Sequence, residues 1–269
     1  MKAFLRTDAQ PSVAAQGVLS ILFFVLLIAA YLAGSYYRHL ENPQDNVMPT
    51  ASQMVDGMKR SAFERDRDGE LRLWVDTLAS ARRFGIALGV IFLAIPLGVW
   101  MGLFPYVEAL FYRFLVFFDK IPALSVLPIL FIVFGLGELS KIALIVIGVF
   151  PTVALDAHLR AKAIPREHID KAHTLGASEH DIVYCIVLPQ LFPKMLDTIR
   201  LNLKAAMLLL IAGESLAAAV GLGYRIFVVR RYVAMDIIIP YVLWITGLLF
   251  FTDGFIQWVI RRRAVWLDK

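Results

Sequence analysis

Asp170-Lys171-Ala172-His173-Thr174-Leu175-Gly176 and, nine residues on, Ile186-Val187-Leu188-Pro189 form a polar island between apolar segments of membrane length. The island is punctuated like a pair of helices. Pro165 suits the first turn of a helix, where a missing N–H costs nothing. Ile169, Ala172 and Leu175 then recur along one helical face. Gly176 follows, where a helix ends in a left-handed residue. Ser178, with Asp181 three residues later, resembles the capping box that opens a helix. Ile182, Val183, Ile186 and Val187 give this second helix its apolar side. Leu188-Pro189 is expected to stop it, with Pro193 as a further break. The pattern predicts two short helices meeting at an angle, one apolar stripe packed on a membrane bundle and the elbow in water.

Around the island the 269 residues are 59% hydrophobic and 18% charged, where a soluble domain averages about 45–50% and about 25%. Mean hydropathy is +0.69. A net charge of +5 would suggest nucleic acid as the partner of a soluble protein. Here the basic residues flank apolar spans, so orientation in a bilayer is the simpler reading, and no nucleic-acid partner is expected. The single cysteine, Cys185, rules out an internal disulfide and a cysteine metal cluster; it reads as a small, partly buried apolar residue.

The fold expected is all-α: a polytopic transmembrane helical bundle of six spans, near 17–37, 84–104, 111–134, 142–155, 201–220 and 235–259, each needing about 20 residues. No stretch has the alternation of a membrane barrel. Lys2 and Arg6 before the first apolar run resemble a signal peptide, but the run is longer than a typical signal core, and it is read as a retained span after a cytoplasmic segment 1–16. Lys2, Arg6 and Arg261-Arg262-Arg263 place both termini, including the tail 264–269, in the cytoplasm. The loop at about 156–200, with Arg160, Lys162, Arg166 and Lys171, falls on the same side. Arg82, Arg83, Arg225, Arg230 and Arg231 fall outside, against the rule. The segment 38–83 reads as extracytoplasmic. Its mixed-charge run 64–70 is either a solvated helix or loop or a contact for an extracytoplasmic partner.

Glu214 stands inside an apolar run and is either a pathway, gate or dimer contact, or a protonated or locally paired structural glutamate. Asp119-Lys120 interrupts the third span, either near a translocation path or at the inner interface with Lys120 snorkelling. Pro122 and Pro128 break backbone bonding, which membrane proteins tolerate where the backbone faces protein or water. His158, His168, His173 and His180 cluster around the island without metal-ligand spacing, and no metal or catalytic residue is expected. The run 135–141 lacks the second glycine of a phosphate-binding loop, so no ATP hydrolysis is expected of this chain alone.

Asp170-Lys171-Ala172, three residues, Gly176, nine residues and Ile186-x-Leu188-Pro189 resembles the "EAA" loop of ABC-importer permeases, with Asp170 in place of Glu and Lys171 in place of Ala. Pro122-Ala123-Leu124-Ser125, Gly135-Leu136-Gly137-Glu138 and Ala212-Gly213-Glu214-Ser215 resemble the nitrate/sulfonate/taurine branch. The resemblance covers about 84–263. It implies a type I ABC importer permease fold in the bacterial inner membrane. It implies that Asp170, Lys171, Ala172, Gly176, Ala177, Ser178, Leu188 and Pro189 couple to a separate ATPase, and that Glu214, Ser215, Asp119, Pro122 and Ser125 belong to the path or gate. The partners implied are two ATPase subunits holding ATP and Mg, a second permease copy, a periplasmic or lipid-anchored binding protein and membrane lipid. The solute implied is a small sulfonate-, taurine- or nitrate-like anion. The alternative is a stand-alone secondary transporter or channel subunit, which predicts inverted repeats and about ten spans.

Overall fold

Capping residues, prolines and glycines set most helix boundaries in this chain. The structure is a computed structural model and describes residues 12–43, 45–66 and 69–264. The expectations resting on Lys2, Arg6, Arg67, Asp68, the side chain of Arg263 and residues 265–269 lie outside it. Every regular element among the described residues is helical.

Helix α1 (Val13–Glu41) opens at Ser12, whose hydroxyl accepts the N–H of Ala15. Helix α2 (Ala51–Phe63) opens with a capping box between Thr50 and Gln53. Helices α3 (Arg72–Phe92) and α4 (Ala94–Leu103) form one stretch broken at Leu93. Pro96 cannot donate to the carbonyl of Phe92, and the Leu93 N–H turns back to Val90 at 3.0 Å. Helix α5 (Pro105–Asp119) starts with a proline at its first position. It meets α6 (Ala123–Phe134) at a bend of 101°. Helix α7 (Glu138–Lys162) follows, then α8 (Arg166–Thr174), α9 (Glu179–Asp181), a π-helical segment (Ile182–Val187), α10 (Leu188–Ala217), α11 (Leu222–Arg230) and α12 (Met235–Ala264).

Among the described residues four helical stretches are long and apolar enough to cross a membrane, and six crossings result when the bent pairs α5–α6 and α9–α11 each count as one. This is a multi-pass helical bundle. Several boundaries differ from the sequence expectation. The second span starts at Arg72 rather than near Phe84, because Asp76, Ser80 and Arg83 are buried against other helices. Leu188-Pro189 does not stop a helix: α9, the π segment and α10 run continuously over Glu179–Ala217. The π segment absorbs the proline. The Leu188 N–H bonds to Val183, five residues back, and the wider turn makes room for a ring with no donor. Pro165 is the N-cap of α8 rather than part of its first turn. Cys185 is exposed, on the outer face of the π segment.

Helix α7 is the hub, with α3, α4, α5, α6 and α10 packed around it. Contacts along it fix relative depth. Arg83 lies beside Glu138, Gly98 beside Ala154 and Ala157, and Gly102 beside Ala161, so α3–α4 runs parallel to α7. Helix α10 runs antiparallel: Thr198 bonds Asp156, Leu209 covers Gly148, and Gly213 meets Lys141 and Leu144. Helix α5 is also antiparallel, with Glu108 paired to Lys162 and Asp119 accepting from the Thr152 hydroxyl at 2.7 Å. A Cβ at Gly98 would stand 2.3 Å from the Ala154 carbonyl, and one at Gly102 would stand 2.4 Å from Ala161 Cβ. The Gly98-x-x-x-Gly102 stripe thus lets α4 lie directly on the alanines of α7, the close approach by which membrane helices gain packing.

Helix α1 stands apart. None of its most apolar window is buried. It is tied to the following turn by Tyr31 donating to Pro49 at 2.9 Å, Ser35 to Met48 at 2.9 Å and Arg38 to Asp45 at 2.5 Å.

Candidate functional site

Two polar constructions occupy opposite ends of the bundle. The first is the elbow. After Thr174 the chain turns through Gly176, whose φ is +84°. Its N–H bonds to His173 at 2.9 Å, and the Ala177 N–H bonds to Ala172 at 3.0 Å. That pair of bonds is a Schellman closure of α8. Helix α9 begins at once: the Ser178 hydroxyl caps the Asp181 N–H at 3.2 Å, and Asp181 returns a bond to the Ser178 N–H at 3.0 Å. The glycine stop and the capping box are those the residue pattern predicts, closed within twelve residues, but Leu175 leaves the packed stripe on which the pattern placed it.

Ala172 is buried, and Ile169 and Ala177 pack on the core, while Asp170, Lys171, Gly176 and Ser178 are exposed. Leu175 is 81% exposed at the tip. A cavity of about 470 Å³ separates the inner side of the elbow from the α4–α5 junction and the end of α7, with Glu108, Lys162, Asp170 and His173 on its walls. The elbow is therefore rigid in itself and loosely seated on the bundle. Leu188 is half-buried and Pro189 exposed, about two and a half turns into the helix that leaves the elbow.

The second construction is a buried charge cluster. Asp76, Ser80 and Arg83 recur at helical spacing on the buried side of α3, on the same face as Ala87 and Ile91. Arg83 clamps Glu138 with two bonds, of 2.5 and 2.8 Å, and reaches Glu214 at 2.6 Å and the Val220 carbonyl at 2.8 Å. Glu214 is fully buried. It also accepts from Ser80 at 2.8 Å and from the Gly223 N–H at 2.9 Å. Lys141 adds a bond to Glu138 at 3.1 Å. Asp76 receives the Gly221 N–H at 2.9 Å and Arg225 at 2.8 Å. The backbone N–H groups of the turn into α11 are thus held by Asp76, Ser80 and Glu214. Three carboxylates face three cations, so the cluster is neutral as drawn and each buried charge has its partner, as burial requires.

Of the residues read as path or gate, Glu214 sits in this cluster, and neither of its oxygens is open to a passing solute in this conformation. Ser215 is half-buried and bonds to Ala212 at 2.7 Å. Asp119, Pro122 and Ser125 gather at the α5–α6 bend, with Ser125 donating to the Pro122 carbonyl at 2.7 Å. Leu188 to Glu214 is 26 residues of one helix, or about 39 Å. The elbow and the cluster are therefore the two ends of a single rod. Among the described residues no group of three or more histidines, cysteines and carboxylates is placed to hold a metal.

Sequence reasoning missed Asp76, Ser80, Arg83, Glu138, Lys141 and Arg225. The available signal was the spacing of Asp76, Ser80 and Arg83, which continues the apolar face of the span that follows them.

A helical membrane bundle of six crossings with a capped polar elbow is the architecture of a transport permease. The model of the binding-protein-dependent transport system inner membrane component matches residues 94–265. The taurine transport system permease protein TauC of Escherichia coli K12 is 31% identical over 195 residues, covering 72% of this chain and 71% of that protein. A probable ABC transporter permease protein of Brucella abortus is 32% identical, covering 72% and 78%. A putative aliphatic sulfonates transport permease protein, SsuC of Bacillus subtilis, is 25% identical over 83% of this chain and 79% of its own. An inward-facing structure of the MetNI methionine ABC transporter superposes with a TM-score of 0.61 at 18% identity, over 74% of this chain and 99% of that one. The chain belongs to the binding-protein-dependent transport system inner membrane component family. It is a multi-pass membrane permease of an ABC importer with a type I importer fold, and such permeases work with an ATPase and a substrate-binding protein.

Proposed function

We propose that this chain is one of two permease copies forming the route of an ATP-driven importer for a small sulfonate-, taurine- or nitrate-like anion. In this reading the elbow at Gly176 seats on a separate ATPase subunit, which holds the ATP and Mg. Both termini and the elbow lie in the cytoplasm of a bacterial cell. A periplasmic or lipid-anchored binding protein delivers the solute at the end where the charge cluster sits. The names of TauC and SsuC support the substrate class.

The observation that carries the reading is the elbow: a rigid, exposed corner, loosely seated on the bundle, at the foot of a continuous helix, Glu179–Ala217, that carries Glu214 near its far end. ATP binding draws the two ATPases together and shifts each elbow. A rod of hydrogen-bonded helix transmits that shift, with the π segment as its one compliant turn. The far end then rocks the Gly221–Gly223 turn and the paired helices α3 and α7, and a solute sees one side or the other. Glu214 and Ser215 act as a gate by the opening of their contacts, and Asp119, Pro122 and Ser125 border the route. No step of the chemistry of ATP belongs to this chain.

The test is co-purification and uptake. The permease should bring down a soluble ATPase bearing a phosphate-binding loop, and proteoliposomes holding permease, ATPase and binding protein should accumulate labelled taurine or ethanesulfonate only with ATP. Uptake that continues after the ATPase lysine is removed would sink the reading.

A further inference from the structure

The bend between α5 and α6 lies level with the middle of α7. Asp119 bonds Thr152, fourteen residues from the start of α7 at Glu138 and ten from its end at Lys162. Thr152 is therefore about 3 Å from the midpoint of that helix. Lys120, the next residue, is 79% exposed, and its only ion-pair partner among the described residues is Asp119 at 3.8 Å. It stands level with the middle of α7, well away from the elbow end of that helix.

Arg113 lies seven residues earlier, about 10 Å nearer the elbow, on the same side of α5. It too is exposed and has no ion-pair partner among the described residues. Tyr106, Leu110 and Phe117 complete this stripe at 92%, 69% and 65% exposure. The spacing of four and three residues keeps all five on one helical face. An ionisable residue at the level of a spanning helix's middle faces a cavity or a partner, and Lys120 is at that level, with Arg113 on the same face toward the elbow. The two groups have the same sign, so the stripe complements a negative solute.

We infer that the Arg113–Lys120 stripe of α5 lines the translocation route and selects for small anions, Lys120 being the deeper of two successive stations for a sulfonate-like group. This deepens the proposed function and rests on the chain being a solute route. It names the side chains that would read the negative charge of the proposed solute. Asp119 is the positioning residue: held by Thr152, it fixes Lys120 at the bend.

The test uses the permease–ATPase complex in nanodiscs, in a Cys185→Ser background. Phe117→Cys, and separately Leu110→Cys, place a reporter on the stripe. Each is treated with 2-sulfonatoethyl methanethiosulfonate, an anion, and with its trimethylammonium analogue, a cation. Both reagents should react from water, the anion faster. Adding Lys120→Gln or Arg113→Gln should lower the anion-to-cation rate ratio about tenfold, the low end of field focusing in a charged cleft, while Lys120→Arg preserves it. Reporters that react with neither reagent would put the stripe in lipid and overturn the inference, as would a ratio indifferent to both glutamines. If the preference vanishes when phosphatidylglycerol is included, a lipid headgroup occupies the stripe, and the solute assignment falls. None of these rates requires uptake, so loss of ATP-driven transport with an intact ratio would sink the proposed function alone.

Discussion

A methyl group built at Gly176 meets no atom within 4 Å, so substitutions there test backbone conformation alone. Its φ of +84° costs an L-residue about 1–2 kcal/mol, less for asparagine, which tolerates the left-handed region. Proline cannot adopt that φ and also removes the donor to His173. Binding-protein-stimulated ATP hydrolysis should therefore fall in the order Gly176→Asn, Gly176→Ala, Gly176→Pro, with the last uncoupled. Equal rates in all three would remove the elbow from the coupling path. The cluster behaves differently, because its partners depend on one another. Arg83→Ala leaves Glu214 buried without its cation, a change that costs about 3–5 kcal/mol in comparable buried pairs. The melting temperature in detergent should drop steeply. Arg83→Met with Glu214→Met should lose less than the two single losses combined. Strict additivity would mean that the pair does not act as a unit.

Local signals were legible and distant ones were not. Gly176, Ser178 and Asp181 answer one another within a few residues, so the elbow could be read from the chain. Asp76 finds Arg225 across 149 residues and Arg83 finds Glu214 across 131, so hydropathy alone assigned α3's first turns to solvent. The same limit misread Pro189. A proline after leucine predicts a stop, but a π turn keeps the helix whole. Helix packing was also invisible in composition, and it yields a sharp contrast. Gly98→Leu would drive a side chain into the Ala154 carbonyl and should abolish stable assembly of the bundle. Gly89→Ala, on the open side of α3 with no atom within 4 Å, should leave melting unchanged or raise it by the equivalent of about 0.4–1 kcal/mol. Comparable losses in both variants, read by size-exclusion profile and thermal melt, would mean that the α4–α7 contact is not the critical one.

At the scale of the whole molecule, the two ends differ in how they carry charge. Arg83 and Arg225 seemed to oppose a cytoplasmic elbow because they read as loop charges on the other side. Both prove to be groups packed inside the bundle and paired with Glu214, Glu138 and Asp76. The orientation rule weighs basic residues in flanking loops, so neither counts fully against it, although Arg82, Arg230 and Arg231 remain exposed there. At the elbow end Arg166 and Lys171 are exposed without ion-pair partners among the described residues. The proposed orientation, with the elbow inside the cell, can be tested directly, because the chain supplies its own reporter. Cys185, the single cysteine, is exposed in the π segment, about 44 Å along the helix from Glu214. A membrane-impermeant maleimide should label it in inside-out vesicles and leave it untouched in intact spheroplasts. Cys185→Ser should abolish the signal in both preparations. Labelling of spheroplasts would invert the molecule, put the charge cluster in the cytoplasm and remove the elbow from any contact with an ATPase.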